Sequence, residues 1–350
     1  MDRPVALLSL AIASPPFVLP QDDVEAVARA LFSDRFQGFE RMAPVFKTAG
    51  VRTRQVVCPI EWYLQPRGWP DRSAAYLEGA VSLFVDAASK ALAEAALTAA
   101  EVDVIVTVSS TGVATPSLEA HAMSRMGFRP DVARVPVFGL GCAGGATGLG
   151  LAGKLAAAAP GAVVLLVAVE LCSLAFRLDD LTKADIVATA LFGDGAAACI
   201  LRSGEGGFAQ LVSSAEHTWP ATIDIMGWRV DPTGLGVVFA RSIPPFACAN
   251  LRPVMESMLE AQSLSLASVD RFICHPGGMK VIEALEQSLS IGQGQLDHER
   301  GVLSEHGNMS APTALFVLDR VRRANLPARS VVTALGPGFT ASTVTLQRAA

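Results

Sequence analysis

A faint internal duplication is the feature that most constrains how this chain can fold. Residues 97–112, LTAAEVDVIVTVSSTG, resemble residues 264–278, LSLASVDRFICHPGG. Each segment leaves a helix, passes a Val-Asp pair, runs through an apolar strand and ends in a polar or glycine-containing turn. Because a repeat of this kind marks two copies of one structural unit, it predicts two similar halves, residues 1–205 and 206–350.

The spacing beyond the two Val-Asp pairs places two polar residues at matching points. Cys142 lies about as far beyond Asp103 as Asn308 lies beyond Asp270. Each of them sits in a small-residue turn before a helix, and an apolar strand follows that helix. We therefore expect Cys142 and Asn308 to occupy equivalent turns of the two halves.

Segments rich in β-branched residues alternate with alanine-rich ones, which predicts an α/β fold with a largely parallel sheet. The 350 residues exceed one typical core, and no Gly/Ser-rich linker interrupts them, so the halves should pack tightly. The strand candidates are Val104–Val108, Val135–Phe138, Ala162–Val169, Arg271–Cys274 and Ser330–Ala334. The helix candidates are Asp22–Phe32, Ser73–Ala95, Gly144–Ala158, Leu251–Ala261 and Pro312–Ala324.

The composition argues against several classes of protein. Hydrophobic residues make up 51% of the chain and charged residues 17%, which is typical of a core-rich enzyme. The net charge of −5 offers no basic surface, so we expect no nucleic-acid partner. The most apolar run, Ala162–Val169, is too short to span a bilayer, and the N-terminus lacks the basic segment of an export signal. We expect a cytoplasmic protein without a transmembrane segment, and the scattered cysteines predict no metal site.

Cys142 lies in VPVFGLGCAGGATGLGLAGKLAAA, which is an apolar strand, a glycine turn and a small-residue helix. At a helix N-terminus the free N–H groups and the positive end of the dipole stabilise a thiolate over a thiol. The flanking glycines let the backbone turn sharply and let a substrate come close. Since small cysteines are also common in cores, a nucleophile and a structural cysteine remain alternatives.

A dinucleotide-binding site is a second interpretation of the same turn. Gly139, Gly141 and Gly144 form a GxGxxG pattern between a strand and a helix, and Glu170 closes the next strand. In such a site the glycines admit the pyrophosphate and the acid binds the ribose. The acid falls later than usual here, and this interpretation leaves the later polar turns unexplained. An NAD-dependent oxidoreductase is therefore kept as an alternative.

Two more polar residues stand at turns between a strand and a helix. His275, in FICHPGGMK, follows an apolar strand, where α/β sheets place their sites. Asn308, in EHGNMSAPT, precedes a helix. Taken singly, His275 could be a structural histidine and Asn308 a helix cap. Together with Cys142 they favour one catalytic site, a set of residues that a thiol hydrolase would also use.

These motifs together resemble the type III polyketide synthases, the chalcone and stilbene synthase-like family of the thiolase superfamily, and its bacterial alkylpyrone and alkylresorcinol synthases in particular. GLGCAGGATGL resembles the nucleophile turn, LFGDGAAACIL a glycine-rich strand entry, CHPGG and HGNMSAPT the histidine and asparagine segments, and ALGPGFTAST the loop beside the cyclisation cavity. The likeness covers nearly the whole chain. It implies a thiolase-like five-layer α-β-α-β-α fold with two pseudo-duplicated halves. It also implies a homodimer that takes acyl-CoA and malonyl-CoA and needs no cofactor.

The resemblance assigns roles to individual residues. Cys142 would be the nucleophile, and His275 and Asn308 its catalytic partners. The residues that match substrate-contacting positions are Phe192 as a gatekeeping aromatic, Arg41 at the CoA phosphates, Gly277 and Gly278 beside the pantetheine tunnel, and Ser310 near the thiol.

Several substrate-contacting positions depart from the family pattern. Val237 stands in place of a second gatekeeping phenylalanine, and Ala175 in place of a lining threonine. Thr115 replaces a methionine that reaches across the dimer interface, while Cys172 occupies another lining position. Because most of these changes shrink a side chain, we expect open space for a long-chain acyl starter.

The asparagine separates the reactions of the superfamily. Thiolases and hydroxymethylglutaryl-CoA synthases have a cysteine or a glutamate there, which can take a proton from an acetyl thioester. Asn308 cannot act as a base, so it favours decarboxylation of malonyl-CoA, in which the broken C–C bond supplies the enolate electrons. We expect the Cys142 thiolate, paired with His275 as an imidazolium, to take the acyl group. Iterative condensation on Cys142 and cyclisation to an alkylpyrone or alkylresorcinol-type lipid are the expected reaction. Ketoacyl synthase III enzymes share Cys, His and Asn and are the nearest rival, although they usually have His-Gln-Ala-Asn where this chain has His275-Pro-Gly-Gly.

Overall fold

The computed structural model describes residues 4–178 and 181–349. Its strands are β1 Val5–Ala13, β2 Phe17–Pro20, β3 Thr53–Val56, β4 Val104–Val108, β5 Ala133–Val137, β6 Val163–Leu171, β7 Asp194–Ser203, β8 Ala209–Thr218, β9 Met226–Asp231, β10 Gly234–Phe239, β11 Arg271–Cys274, β12 Arg329–Gly336 and β13 Thr340–Arg348. Its helices are α1 Gln21–Phe32, α2 Phe39–Met42, α3 Pro44–Thr48, α4 Ile60–Tyr63, α5 Trp69–Glu94, α6 Leu118–Met126, α7 Gly144–Ala158, α8 Lys183–Leu191, α9 Ile243–Glu260, α10 Met279–Leu289, α11 Asp297–His306 and α12 Ala311–Asn325. No helix in these ranges is both long and apolar enough to cross a membrane.

The predicted elements are all present, and their bounds differ mainly at the ends. β4, β11 and α7 have the predicted limits. By contrast, α9 begins at Ile243, well before the predicted Leu251. Pro244 and Pro245 fill its first turn, where proline is tolerated because that turn has no intrahelical N–H bonds to lose.

The nine-stranded sheet is mixed, so the prediction of a largely parallel sheet was wrong. Its order is β11-β12-β13-β8-β1-β7-β6-β4-β5. Only β11/β12, β4/β6 and β4/β5 pair in parallel, and the five central pairings are antiparallel. One physical reason is the short connection from β12 to β13, because strands joined by a tight turn without a helix pair antiparallel. β1 adds two more antiparallel pairings, since β7 and β8 both run opposite to it.

The helices divide the sheet into two parts and complete the expected five-layer α-β-α-β-α arrangement. α5 packs on the outer face of β1, β6 and β7, and one hydrophobic cluster fills that boundary. α7 and α12 lie in the middle and contact strands of both parts of the sheet. α9 and α10 cover the far face of the four neighbouring strands β8, β13, β12 and β11. The two parts join where β1 pairs with β8 over Val5–Leu7.

The two Val-Asp pairs of the sequence repeat make the same contacts in both halves. The Asp103 N–H donates to Val163 O (2.9 Å), and the Asp103 carboxylate accepts from Val163 N (2.8 Å). In the same way the Asp270 N–H donates to Arg329 O (3.0 Å), and the Asp270 carboxylate accepts from Arg329 N (2.7 Å). Asp103 therefore joins the start of β4 to the start of β6 by hydrogen bonds, and Asp270 joins the start of β11 to the start of β12.

The small residues of α7 allow it to lie directly against α12. A Cβ on Gly145 would stand 2.2 Å from Ala311 O, and one on Gly144 would stand 2.7 Å from a methyl group of Val108. Only glycine permits this approach. The close contact brings the N-terminal turns of both central helices, and with them Cys142 and Asn308, to one place.

Candidate active site

Cys142 lies in a short 3₁₀ turn, Gly141–Ala143, that leads directly into α7. Gly141 has φ +47°, and a Cβ there would stand 2.8 Å from the ring of Pro337. The turn is thus held from the outside by the loop between β12 and β13. The Cys142 side chain is buried and faces the cavity described below.

His275 follows the last residue of β11, and its N–H donates to Thr333 O of β12 (2.9 Å). Its side chain is only 3% exposed. Among the described residues neither Nδ1 nor Nε2 has a hydrogen-bond partner. Buried polar atoms are normally paired, so an imidazole left free on a cavity wall is suited to a substrate.

Asn308 is fully buried and is oriented by its own backbone neighbours. Its amide Nδ2 donates to Gly277 O (3.3 Å), and its Oδ1 accepts from Ser310 N (2.8 Å). This fixes which end of the amide carries the N–H groups. The Asn308 amide and the Ser310 hydroxyl both hydrogen-bond the Cys142 sulfur, and both act to lower its pKa.

Burial outweighs these hydrogen bonds, so the expected stabilisation of a thiolate is not what the site provides. Desolvation raises the pKa of the Cys142 thiol to about 11. Burial alone lowers the pKa of His275 to about 3. A single charge is costly in a buried site, and in the substrate-free enzyme thiol and imidazole are therefore both neutral near pH 7.

The three residues line one cavity of about 530 Å³. In the described parts of the chain no aspartate or glutamate lines it. Its walls contain six of the residues expected from the sequence, namely Arg41, Cys142, His275, Gly277, Gly278 and Asn308. Four cations, all exposed to solvent, stand along it: Arg41, Lys183, Arg241 and Lys280.

The expected open space beside the thiol is absent, because aromatic residues from a neighbouring hairpin fill it. The second cavity at Cys142 holds only about 30 Å³. Val237 and Cys172 line it as expected, together with Phe192 and Ser310. Its remaining walls include Met226, Trp228 and Phe239, and the last two rings lie 5.9 Å and 5.8 Å from the ring of Phe192.

A third, apolar cavity of about 70 Å³ lies on the other side of Cys172 and Phe192. Ala175 lines this cavity and does not line either cavity at Cys142. Thr115 lies on an exposed loop and lines neither cavity at Cys142 nor the apolar cavity. Of the expected substrate contacts, these two are therefore not brought to the thiol within this chain.

The structure does not support a dinucleotide-binding site at the GxGxxG turn. The Glu170 carboxylate accepts from Ser110 N (2.9 Å) and from the Thr111 hydroxyl (2.7 Å), so it is buried and engaged. Gly139 is exposed, but Gly141 and Gly144 are buried against Pro337 and Val108, which leaves no room for a pyrophosphate at the turn. A ribose and a pyrophosphate have no access to either element.

Sequence reasoning missed the residues that shape the walls. Lys183, Arg241 and Lys280 come from three different elements, so no pattern in the chain could group them. Trp228 and Phe239 lie on β9 and β10, whose antiparallel pairing the sequence pattern did not indicate. A signal for this hairpin is present in the segment WRVDPTGLGVVF. It reads as a strand, a Pro-containing turn and a second apolar strand, and could have indicated that Trp228 and Phe239 belong to a hairpin.

A five-layer α/β molecule with a cysteine, a histidine and an asparagine in one cavity has the fold of the thiolase-like condensing enzymes. The chain matches the family model "Chalcone and stilbene synthases, N-terminal domain" over residues 2–205 and the corresponding C-terminal domain over residues 210–349. It belongs to this family, the type III polyketide synthases, and is an enzyme of the acyltransferase class.

Individual relatives agree with this assignment. The chain is 37% identical over 355 residues to 1,3,6,8-tetrahydroxynaphthalene synthase of Streptomyces peucetius subsp. caesius, covering 99% of this chain and 94% of the relative. It is 31% identical over 348 residues to the alpha-pyrone synthesis polyketide synthase-like Pks18 of Mycobacterium tuberculosis, covering 95% and 88%. The crystal structure of 1,3,6,8-tetrahydroxynaphthalene synthase from Streptomyces coelicolor A3(2) superposes with a TM-score of 0.93 at 29% identity, covering 99% of each chain.

Proposed function

We propose that this enzyme condenses malonyl-CoA, with loss of CO₂, onto an acyl-CoA starter held on Cys142, and that His275 and Asn308 are its catalytic partners. One observation carries the proposal. The Asn308 side chain lies close enough to Cys142 to lower the pKa of its thiol, an imidazole without a hydrogen-bond partner in the described residues shares the cavity, and no carboxylate of those residues lines it. A site with donors and no carboxylate base suits an enolate made by decarboxylation rather than by proton abstraction.

The first step transfers the acyl group. Because His275 is neutral, it can accept the Cys142 proton as the sulfur attacks the thioester carbonyl, and the CoA sulfur takes up that proton as it leaves. The opposite charges form together in the buried site and stabilise each other, which lowers the cost of separating them there. The products are acyl-Cys142 and free CoA.

The second step uses the same two partners as donors. Loss of CO₂ from malonyl-CoA leaves the electron pair of the C–C bond as an enolate, whose oxygen accepts from the His275 ring N–H and from Asn308 Nδ2. The enolate carbon then attacks acyl-Cys142 and expels the cysteine sulfur as a thiolate, which takes up a proton from solvent and becomes a thiol again. The chain leaves on CoA, two carbons longer, and can return for another round.

The charges along the large cavity support CoA thioesters as substrates. Arg41, Lys183, Arg241 and Lys280 have no ion-pair partner in the described parts of the chain. The phosphates of CoA carry several negative charges, and a chain of net charge −5 would not otherwise attract them. Gly277 and Gly278 line the same cavity as these cations and the thiol, and we propose that the pantetheine arm lies against them.

We further propose a long-chain acyl starter and an alkylpyrone or alkylresorcinol-type product. The apolar cavity behind Cys172 and Phe192 is the place that could take an acyl tail, and the similarity to a polyketide synthase named for alpha-pyrone synthesis supports it. A second candidate is 1,3,6,8-tetrahydroxynaphthalene, the product named for the Streptomyces peucetius relative. That product carries no alkyl chain, which would suit the small cavity beside the thiol.

We propose a homodimer that forms across the exposed edge of β5. In the part of the chain that the structure describes, this strand pairs with β4 alone, and Val113 and Phe138, which follow β4 and β5 in the chain, are 64% and 60% exposed. Exposed apolar side chains at an unpaired strand edge are typical of an interface. Thr115 lies on the same loop as Val113, so in the dimer it would lie at the interface, where the family places this residue.

The experiment is to incubate the purified enzyme with malonyl-CoA and a panel of acyl-CoAs and to record CO₂ and product masses. The proposal predicts CO₂ and products extended by several two-carbon units. Products extended by a single two-carbon unit would indicate a ketoacyl synthase III-like enzyme. Release of free fatty acid without CO₂ would indicate a thiol hydrolase. Aromatic product from malonyl-CoA alone would favour the naphthalene.

A further inference from the structure

A buried arginine, Arg54 on β3, lines the apolar cavity and has no assigned part in the reaction. It is 3% exposed and lines the apolar cavity together with Phe192. Burial lowers the pKa of its guanidinium to about 10, so the group remains charged near pH 7. No carboxylate in the described residues hydrogen-bonds it, and Asp194 acts on it only through space.

The guanidinium binds the C-terminal end of α8. Nη1 donates to Thr189 O (2.6 Å) and to Phe192 O (2.9 Å), and Nη2 donates to Ala190 O (2.9 Å). These are carbonyls that have no partner within the helix, and they form the negative end of its dipole. Nη2 also donates to Gln21 Oε1, and Gln21 Nε2 in turn donates to Ala190 O (3.0 Å).

The one carbonyl of this turn that Arg54 leaves free is taken by the catalytic segment. Asn308 N donates to Leu191 O (2.7 Å), and Gly193 N donates to Asn308 O (3.0 Å). The contact is so close that a Cβ on Gly193 would stand 2.2 Å from His306 O. The backbone of Asn308 is thus paired with the same chain segment that Arg54 holds.

We infer that Arg54 is a positioning residue for the condensation: by capping the end of α8 it holds Phe192 at the thiol cavity and, through the backbone bridge, sets the Asn308 amide. A buried charge is a costly way to gain stability alone, and one attested use of such groups is to fix a single geometry. An enolate oxygen accepts effectively only from a donor held at the right place, so a shifted amide slows decarboxylation.

Acylation of Cys142 should be less sensitive to Arg54. The thiol lies on the turn before α7, which is held by Pro337 and by α12 rather than by α8. The inference rests on the proposed function, because it assigns Arg54 to the decarboxylation step. Its signature is a change in the ratio of two partial reactions, which a general loss of stability would not produce.

The experiment compares Arg54→Met and Arg54→Lys with wild type in two assays on the full-length enzyme. One measures acylation of Cys142 by intact-protein mass spectrometry after mixing with an acyl-CoA, and the other measures CO₂ release from malonyl-CoA. We expect Arg54→Met to lower decarboxylation about tenfold and acylation by less than about threefold. Arg54→Lys, which keeps the charge and fewer donors, should fall between Arg54→Met and wild type.

The matched control is Arg322→Met, because Arg322 is another largely buried arginine that binds a backbone carbonyl, Leu10 O, and lines none of the cavities at the thiol. This control should lower the melting temperature and leave the ratio of decarboxylation to acylation unchanged.

If Arg54→Met does not fold, the same ratio is measured in Arg54→Lys and Gln21→Glu instead, because both variants keep polar groups in the site. Equal losses in both assays would overturn the inference. Wild type that releases no CO₂ would instead overturn the proposed function itself, and the inference with it.

Discussion

At the scale of single residues, the pairing of a neutral thiol with a neutral imidazole has consequences for pH. The pKa of Cys142 is raised to about 11 and that of His275 is lowered to about 3, so neither group titrates between these limits. In the proposed mechanism, the proton moves from the Cys142 sulfur to the His275 ring as the sulfur attacks. An ion pair formed in advance would behave differently, because it would be lost on acidification.

The first prediction is a flat pH profile for acylation of Cys142. Between about pH 6 and pH 9 the thiol stays protonated and the imidazole stays neutral, so the single-turnover rate should vary less than about threefold. In His275→Ala only free thiolate can react, and the rate should rise about tenfold per pH unit over the same range. Rapid-quench mass spectrometry measures both. A step in the wild-type profile near neutral pH would contradict the neutral pair.

How much of the site the sequence could predict also differs from residue to residue. Cys142, His275 and Asn308 were found because each stands in a recognisable strand-to-helix turn, and the structure brings them to one cavity. The raised pKa of Cys142 was not found, because it depends on burial by residues distant in the chain. Arg54 gave no signal, since its partners are backbone carbonyls of another element.

At the scale of elements, the hairpin of β9 and β10 decides the shape of the space beside the thiol. Val237 is smaller than the phenylalanine expected there, but Trp228 on the paired strand and Phe239 fill the space. The space that the small Val237 side chain leaves is therefore filled by Trp228 on β9 and Phe239 on β10. The register between strands, which sequence patterning left undetermined, is what made the expectation of an open cavity wrong.

The second prediction concerns Trp228. Replacing it with alanine should open the space next to Phe192 and shift the preferred starter to longer acyl-CoAs by roughly tenfold in relative kcat/KM. Competition assays with acyl-CoAs of two lengths, read by product mass, measure the shift. Trp62→Ala is the control, because Trp62 lies outside the cavities at Cys142. An unchanged preference in Trp228→Ala would show that this wall does not select the starter.

The strands and helices themselves were largely predictable, whereas the direction of the strands was not. Buried runs such as β6 and small-residue helices such as α7 carry their signal locally. The direction of β13 depends on a turn of only three residues after β12, which was interpreted only as a cavity loop. The alternation of helix and strand in the sequence therefore predicted the fold class correctly but did not predict which neighbouring strands pair in parallel and which pair antiparallel.

At the scale of the whole molecule, the exposed edge of β5 predicts how copies assemble. If the proposed dimer forms across this edge, Phe138→Asp places a charge in its interface and should give a monomer, which light scattering after size-exclusion chromatography detects. Val212→Asp is the control, since Val212 is also exposed but lies on β8, away from this edge. Equal masses for wild type and Phe138→Asp would place the interface elsewhere.

The packing of the two central helices places the proposed catalytic residues at the centre of the molecule. α7 and α12 are the middle layer, and the turns at their N-termini bring Cys142 from one half and Asn308 from the other to one point. The central claim is that the Asn308 amide stabilises the enolate formed by decarboxylation. It therefore concerns a contact between the two halves of the fold.

The most direct test of that claim is CO₂ release from malonyl-CoA by Asn308→Ala, with acylation of Cys142 measured in the same preparation. Loss of one such donor costs about 3 kcal/mol of transition-state stabilisation, so decarboxylation should fall roughly a hundredfold while acylation falls by less than about fivefold. Ser310→Ala, which removes the other hydrogen bond to the sulfur, should keep most of the decarboxylation. Decarboxylation at the wild-type rate in Asn308→Ala would contradict the mechanism.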